Sequence, residues 1–269
     1  LDLSRIESGG LQLSLETGEV ALSQQTVFTN VVMVANANEI HMEAFREHAE
    51  YASFRGRIEL IRVPYLRSFI DERRIYETFI VPQLMRHVAP HTVSVAAEFA
   101  VLTRMRKPDP SAFSKKLAEV VETLTAEEKL DLYANGSAPE RLESDKRKVL
   151  KANIDALYRE TDNDSDYEGK VGVSPRTVRA LLLDAAQSKE YDCVSPFALH
   201  KCIEELCRRD ADFEWLNRPA KPGGYHDHDA FQKIVRRRLL DRIEIDMRAA
   251  SGLVDDQQYA DLFSRYIIQ

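Results

Sequence analysis

The sequence contains few residues that interrupt helices. Its 269 residues include only 10 Gly and 10 Pro, whereas Leu, Ala, Arg and Glu are frequent, a composition that favours helix. None of its apolar runs approaches the roughly 18 residues that span a bilayer. The composition therefore predicts a mostly helical chain with no membrane partner.

Cysteine is also scarce. Cys193, Cys202 and Cys207 are odd in number and lack CxxC spacing, which argues against a disulfide framework. A zinc site would need a fourth ligand, for which His200 is the near candidate. We therefore expect reduced thiols, a cytoplasmic location and no assigned metal.

An excess of positive charge is absent as well. The chain has 37 Lys and Arg against 44 Asp and Glu, a net charge of −7. Proteins that bind nucleic acid in general need a basic footprint, so the balance disfavours that class. The short basic run Lys233–Arg238 leaves a local patch open as an alternative, although a solvated helix face is the commoner meaning of such a run.

Two short apolar segments predict β-strands near the start of the chain. Residues Val31–Ala35 are rich in β-branched side chains and lie between polar turns. Residues Ile58–Val63 end at Pro64, which cannot donate to a strand ladder. The segment Glu39–Glu50 between them has helical character. Strand, helix and strand in this order predict a parallel α/β core.

After Pro64 the pattern predicts helices almost to the end. Asp71–Met85 and His91–Arg104 have apolar residues at helical spacing. Thr125 and Glu128 form a capping-box pattern, and Gly136 marks the end of that helix.

Further helix starts follow in the second half of the chain. Ser174-Pro175 and Ser195-Pro196 each combine an N-cap oxygen with a proline suited to the first helical position. The last long helix is predicted from Phe231, with Asp229 as its N-cap. His226 and His228 lie just before it and could hold a metal, but a polar capping loop is the preferred interpretation.

Three polar features are the functional candidates. Asn36 and Asn38 follow the first predicted strand, at the edge where α/β sheets place ligands. Arg55 and Arg57 lie in a loop before the second predicted strand, where an arginine can reach a neighbour's nucleotide. Arg176 lies in the first turn of a helix, a position that disfavours a cation unless an anion binds there. An ordinary Asn turn and solvated arginines are the alternatives.

Several segments together resemble a known family. The PrkA-type serine protein kinases, which combine an AAA+ ATPase module with a helical C-terminal domain, are similar in residues 16–110 and in the helix over residues 172–187. The segments that carry the resemblance are Val34–Glu39, Arg57–Tyr65, Glu72–Glu77, His87–Thr92, Phe99–Arg104 and Gly172–Arg176.

The resemblance implies a fold, a cofactor and a role for each candidate. Residues 1–66 would be the C-terminal part of the AAA+ α/β core, 67–188 a helical lid region, and 189–269 the start of the helical C-terminal domain. Asn38 would be the sensor-1 residue. Arg57, or as the second choice Arg55, would be an arginine finger acting on a neighbouring subunit of a homo-oligomer. Arg176 would be sensor 2, closing the lid over ATP.

Other signatures of nucleotide enzymes are missing from this sequence. It has no GxxxxGK[ST] motif, no apolar strand ending in Asp-Glu, and no His-Arg-Asp; Asp212-Phe213-Glu214 is not Asp-Phe-Gly. We therefore expect a fragment whose P-loop and Mg²⁺ ligands lie upstream and which binds ATP poorly by itself.

These observations lead to two functional hypotheses. The first is an ATP-dependent, serine protein kinase-like AAA+ enzyme that acts as an oligomer on a protein substrate; ATP hydrolysis coupled to remodelling would use the same three residues. The alternative is a helical nucleic-acid-binding or regulatory scaffold domain without catalysis.

Overall fold

The chain divides into two compact units, Leu1–Val63 and Pro64–Gln269. The computed structural model describes residues 16–21, 25–30, 32, 34–49, 51–209, 213–252 and 264–265. Most of these residues are helical, as the composition predicts. None of the helices that they form is both long and apolar enough to cross a membrane.

The part of the first unit that the structure describes includes a small hairpin and the two helices that follow it. Strand β1 (Glu19–Ala21) pairs antiparallel with β2 (Thr26–Phe28). Helices α1 (Glu39–Glu47) and α2 (Tyr51–Arg55) follow. The helix predicted from Glu39 is confirmed over the range of α1.

Aromatic side chains provide the packing between α1 and α2. The ring of Phe45 lies edge-on to those of Tyr51 and Phe54, with centroids 5.4 and 5.6 Å away. Phe54 is the only fully buried side chain among the described residues of this unit. The first unit therefore has very little core of its own in the part that the structure describes.

The two predicted parallel strands are wrong for the residues that the structure describes. In Val31–Ala35, Val32 and Val34 are outside any strand and are 93% and 90% exposed, while residues 31 and 33 lie outside the described part. Ile58–Val63 is likewise irregular, and Val63 is 83% exposed. β-Branched residues form a stable strand only where a neighbouring strand pairs with them and another layer covers them. The described residues supply neither.

The second unit is built from helices. In chain order they are α3 (Phe69–Ile75), α4 (Thr92–Arg104), α5 (Lys115–Val121), α6 (Ala126–Asn135), α7 (Ser144–Ala152), α8 (Ile154–Arg159), α9 (Pro175–Ala186), α10 (Pro196–Cys207) and α11 (His228–Ala250).

Helix α4 lies at the centre of the second unit. All 13 of its residues are buried, and it packs against α3, α10 and α11. A helix that is apolar on most sides belongs in the interior, where Phe99 and Leu102 are fully buried. Glu98 and Arg104 are buried in the same helix. Buried charges need partners, and these two organise the polar contacts described below.

Four of the predicted helix caps are confirmed. Thr125 Oγ1 accepts a hydrogen bond from the Glu128 amide at 3.2 Å, and the Glu128 carboxylate accepts from the Thr125 amide at 2.9 Å. Gly136 ends α6 with a left-handed φ of 71°. Ser174 and Ser195 cap α9 and α10, accepting from first-turn amides at 3.1 and 3.2 Å. Local signals therefore predicted these helix ends correctly.

The single helix predicted over Asp71–Met85 is divided into three parts. Helix α3 is followed by a π-helical turn over Tyr76–Ile80 and a 3-10 turn over Val81–Gln83. Pro82 explains the change, because it has no N–H for the helical ladder and its ring crowds the preceding turn. The helical pattern was correct, but its regularity ends before Pro82.

Helix α11 begins earlier than predicted. Its first residue is His228, and Asp227 rather than Asp229 is the N-cap, accepting a hydrogen bond from the Ala230 amide at 2.9 Å. Both aspartates are suitable N-cap residues. The N-cap thus lies two residues earlier than predicted, directly after His226, whose backbone has a left-handed φ of 56°.

Candidate functional site

Asn38 lies at the start of α1. It occupies the N-cap position with extended backbone angles, and its carbonyl accepts hydrogen bonds from the His41 and Met42 amides at 3.0 and 3.1 Å. Its side chain makes no capping hydrogen bond and is exposed. The amide group is therefore accessible to an outside ligand.

Arg57 lies just after α2 and is paired within the first unit. Its Nη2 is 2.6 Å from a carboxylate oxygen of Glu16, and its Nη1 donates to the carbonyl of Ser53. The side chain retains 38% of its exposure. Exposed ion pairs contribute only about 0–1 kcal/mol, so a stronger anionic partner can replace Glu16. Arg55 is also exposed, as the last residue of α2.

Arg176 is exposed in the first turn of α9. Free N–H groups and the positive end of the helix dipole attract anions at this position and disfavour a cation by a few tenths of a kcal/mol. The structure thus places Asn38 and Arg57 in the first unit and Arg176 in the second.

The described residues suit a phosphate group better than a metal ion. The exposed amide of Asn38 and the exposed guanidinium of Arg176 are each groups that can bind phosphate oxygens. In the described part of the chain, no group of three or more His, Cys, Asp or Glu is arranged to hold a metal. No magnesium ligand is therefore assigned here.

A buried ionic network lies behind the start of α9. Arg104 Nη2 is 2.7 Å from a Glu72 carboxylate oxygen and also donates to the Val173 carbonyl at 2.7 Å. The Tyr76 hydroxyl donates to the same carboxylate, and burial together with the charge of Glu72 holds the pKa of Tyr76 well above its usual range. Sequence reasoning missed this network. Its one local signal is the arginine that ends the mostly apolar helix α4.

A second buried network fixes the loop that precedes α9. Glu168 accepts from Lys129 Nζ at 2.6 Å, from the Arg106 amide at 2.8 Å and from the Tyr133 hydroxyl at 3.1 Å, with Arg67 3.6 Å away. Burial, followed by the charge of Glu168, raises the pKa of the Tyr133 hydroxyl. Buried charges with this many partners hold a loop in one conformation.

Half of the basic run on α11 pairs within the fold. Arg237 pairs with Glu127 and Arg238 with Glu98 and Asp131, on α6 and α4, and the nearby Arg242 also pairs with Glu98. Arg238 makes two hydrogen bonds to Asp131, at 2.8 and 2.9 Å. Arg237 and Arg238 are therefore engaged within the fold, whereas Lys233 and Arg236 remain exposed. This reduces the basic patch on which the nucleic-acid alternative depends.

The cysteines and His226 are structural groups. All three cysteines are free, and burial raises the pKa of the Cys207 thiol to about 12 and also raises that of Cys202. Burial, reinforced by the charge of Arg218, lowers the pKa of His226 to about 4. These shifts keep the Cys202 and Cys207 thiols protonated and the His226 imidazole neutral near pH 7.

The sequence matches two family models. The model of the PrkA AAA domain matches residues 16–112, which include Asn38 and Arg57. The model of the PrkA serine protein kinase C-terminal domain matches residues 127–269, more than half of the chain, and includes Arg176.

Curated relatives carry the same family features at low identity. A protein of Bacillus subtilis (strain 168) named ATP-dependent protease PrkA is 26% identical over 176 residues, which are 65% of this chain and 24% of that protein. The serine/threonine kinase YeaG of Escherichia coli (strain K12) is 28% identical over 90 residues, 33% of this chain and 14% of that protein. The chain thus spans less than a quarter of the length of these relatives. No solved structure matches it. From the two family models, the chain belongs to the PrkA family.

Proposed function

We propose that this chain is the nucleotide-sensing portion of an ATP-dependent, serine protein kinase-like AAA+ protein. The observation that carries the proposal is the exposed Arg176 at a helix N-terminus, in a chain whose first part matches an AAA domain. An exposed cation at this position makes the helix end strongly attractive to a phosphate.

Each candidate residue has a separate task in this proposal. Arg176 binds phosphate oxygens of ATP through its exposed guanidinium. Asn38 orients the attacking group or contacts the γ-phosphate through its amide. Both groups act by electrostatic stabilisation of phosphoryl transfer, which accounts for most catalysis of this kind.

Arg57 acts on the nucleotide of a neighbouring subunit. Its exposed pair with Glu16 leaves the guanidinium available at small cost. An arginine supplied by a neighbour stabilises the charge that develops on the transferred group. Turnover then requires a homo-oligomer, because each site receives Arg57 from another copy.

The proposal also names the group that accepts the phosphoryl group of ATP. One relative is named a protease and the other a kinase, and both activities are compatible with the three residues above. We favour transfer to a serine of a protein substrate because the C-terminal family model is that of a serine protein kinase. Hydrolysis of ATP without transfer would favour a protease or remodelling role.

The proposal is tested by substitution in the full-length protein. Arg57→Ala is expected to lower ATP turnover by about 10³-fold or more, the usual contribution of an arginine finger, while ATP affinity is retained. Arg176→Ala is expected to weaken both ATP affinity and turnover. Arg55→Ala is the matched control, because Arg55 is an exposed arginine two residues away.

Action between subunits has its own test. Mixing Arg57→Ala subunits with Asn38→Ala subunits restores turnover if an intact Asn38 site receives Arg57 from the other variant. Parent turnover in Arg57→Ala, with loss in Arg55→Ala, would transfer the role to Arg55. Failure of the mixture to regain turnover while it still assembles would contradict action between subunits.

A further inference from the structure

The start of α9 is attached to the end of α4. Val173 immediately precedes Ser174, the N-cap of α9. Its amide donates to Thr103 Oγ1 at 2.9 Å, and its carbonyl accepts from Arg104 Nε at 3.1 Å and Nη2 at 2.7 Å. Thr103 and Arg104 are the last two residues of α4. Both backbone polar groups of Val173 are therefore held by the most buried helix of the unit.

Gly172 allows this close approach. Its φ is 146°, and a Cβ atom at this position would lie 2.6 Å from Arg104 Cγ and 3.0 Å from Thr103 Oγ1. Any other residue would have to move the backbone away from α4. The chain thus passes directly over Arg104 before α9 begins.

The same guanidinium holds the segment that opens the second unit. Arg104 Nη1 donates to the Leu66 carbonyl at 2.9 Å, and the guanidinium carbon lies 4.9 Å from the centroid of the Tyr65 ring. Glu72 pairs with the guanidinium from α3. The planar guanidinium has five N–H donors in fixed directions, so Arg104 holds Leu66, Glu72 and Val173 in one fixed arrangement.

We propose that Thr103 and Arg104 are positioning residues for Arg176. They hold Val173, which lies three residues before Arg176. Arg104 also binds Leu66, so the start of α9 is fixed relative to the segment Pro64–Leu66 that opens the second unit. This inference rests on the proposed role of Arg176 in nucleotide binding. Small displacements of such a group cause large losses, since a shift of about 1 Å is enough to cost 10²-fold in rate.

The test compares Thr103→Val with Thr103→Ser in the full-length protein, using a fluorescent ATP analogue as the probe. Valine leaves the Val173 amide without its acceptor, whereas serine retains the hydroxyl. We expect Thr103→Val to weaken binding of the analogue about tenfold, because the freed start of α9 no longer holds the Arg176 guanidinium in its binding position. Thr103→Ser is expected to stay within about twofold.

A double-mutant cycle separates positioning from general destabilisation. In the Arg176→Ala background, Thr103→Val is expected to cause no further loss of affinity, because it acts through the missing guanidinium. Arg86→Ala is the structural control, since Arg86 donates to the carbonyls of Ala186 and Ser188 at the other end of α9, at 2.5 and 3.1 Å. It is expected to leave analogue affinity unchanged.

Amide hydrogen exchange of this chain provides a readout without nucleotide. Thr103→Val is expected to accelerate exchange over residues 173–178, and Arg86→Ala over residues 186–188. If Thr103→Val does not fold, Arg104→Lys replaces it: lysine keeps the charge beside Glu72 but cannot reach Leu66 and Val173 together. The same tenfold loss is then expected.

The possible outcomes are distinguishable. Equal losses from Thr103→Val in the parent and in the Arg176→Ala background would overturn the positioning role while leaving Arg176 as a nucleotide ligand. Unchanged affinity in Arg176→Ala alone would instead remove the proposed role of Arg176, and the positioning role with it. If Thr103→Val weakens binding in the parent but causes no further loss in the Arg176→Ala background, the result supports Arg176 as a nucleotide ligand and Thr103 as its positioning residue.

Discussion

The two units of this chain use their apolar residues in opposite ways. In the second unit, apolar residues of α3, α4, α10 and α11 form one continuous core. In the described part of the first unit, Phe54 is buried, whereas Phe28, Val34 and Val63 are 76%, 90% and 83% exposed. Apolar sequence patterns are present in both units, but among the residues that the structure describes only those of the second unit cover them.

This difference shows that an apolar sequence pattern indicates which side chains would gain from burial. It does not show whether other elements of the fold bury them. Burial contributes about 25 cal/mol per Å² of apolar surface removed from water. That stabilisation is large for α4, which is buried all round, and small for α1, which has no buried residue. Pairs of matched substitutions, one in each unit, test the contrast.

The largest contrast is expected for a core aromatic residue. Phe99→Ala is expected to lower the free energy of unfolding by about 3–5 kcal/mol, because it leaves a cavity in a fully packed site. Phe28→Ala, at a 76% exposed position of β2, should change it by less than about 0.5 kcal/mol. Urea unfolding followed by circular dichroism measures both. Similar losses would mean that Phe28 is covered in solution.

The second contrast concerns ion pairs. Glu98 is fully buried and pairs with Arg238 and Arg242, so Glu98→Gln is expected to cost about 2–3 kcal/mol by leaving two arginines short of a charged partner. Glu16→Gln removes the exposed partner of Arg57 and should cost about 0–1 kcal/mol. The same unfolding experiment applies, and a cost for Glu98→Gln no larger than that for Glu16→Gln would contradict the assigned difference in burial.

A pH dependence follows from His226. Its pKa is lowered to about 4 in the folded protein, whereas the unfolded chain takes up this proton near pH 6.5. Between these values the unfolded state binds more protons, so stability falls as the pH decreases from about 6.5 to about 4.

The expected loss is on the order of 2 kcal/mol, because the half-buried ring remains partly in water. His226→Asn removes this contribution, and asparagine accepts the left-handed backbone found there. His41→Asn is the control, because it makes the same exchange at an exposed position of the first unit. This variant is expected to keep the loss of stability in acid. Unfolding midpoints measured from pH 7 to pH 4 distinguish the variants, and an unchanged profile in His226→Asn would contradict the assignment.

The smallest contrast concerns helix N-caps. Thr125→Ala removes a capping box and is expected to cost about 1 kcal/mol. Asn38→Ala removes a side chain that makes no capping bond, so its effect on stability should stay below about 0.5 kcal/mol. Thermal unfolding measures both. If Asn38→Ala destabilises the chain as much as Thr125→Ala, Asn38 acts as a cap in solution and its availability to a ligand is in doubt.

Features encoded within one turn of the chain were predictable. The capping box at Thr125 and the Ser-Pro helix starts at Ser174 and Ser195 depend on residues two or three positions apart, and the structure contains all of them. The predicted strands over Val31–Ala35 and Ile58–Val63 failed in the described residues, because a strand depends on partners that its own sequence does not specify.

The candidate site was predictable only in part. The sequence indicated Arg176 because a cation in the first turn of a helix is disfavoured by the helix dipole. In the structure Arg176 lies in the first turn of α9 and is exposed. Thr103 and Arg104 were not singled out, because the contact with Val173 joins residues about 70 positions apart. No local pattern encodes such a pairing.

By itself, the sequence determined the helical character of this chain, the helix ends marked by Thr125, Gly136, Ser174 and Ser195, and its resemblance to the PrkA family, since these depend on composition and short-range spacing. The tertiary structure alone decided which charges are buried and what they hold: Arg104 between Leu66, Glu72 and Val173, and Glu98 beneath the arginines of α11. The physical reason is that a buried charge is tolerated only where distant parts of the chain supply its partners. Those partners come together only when the chain folds.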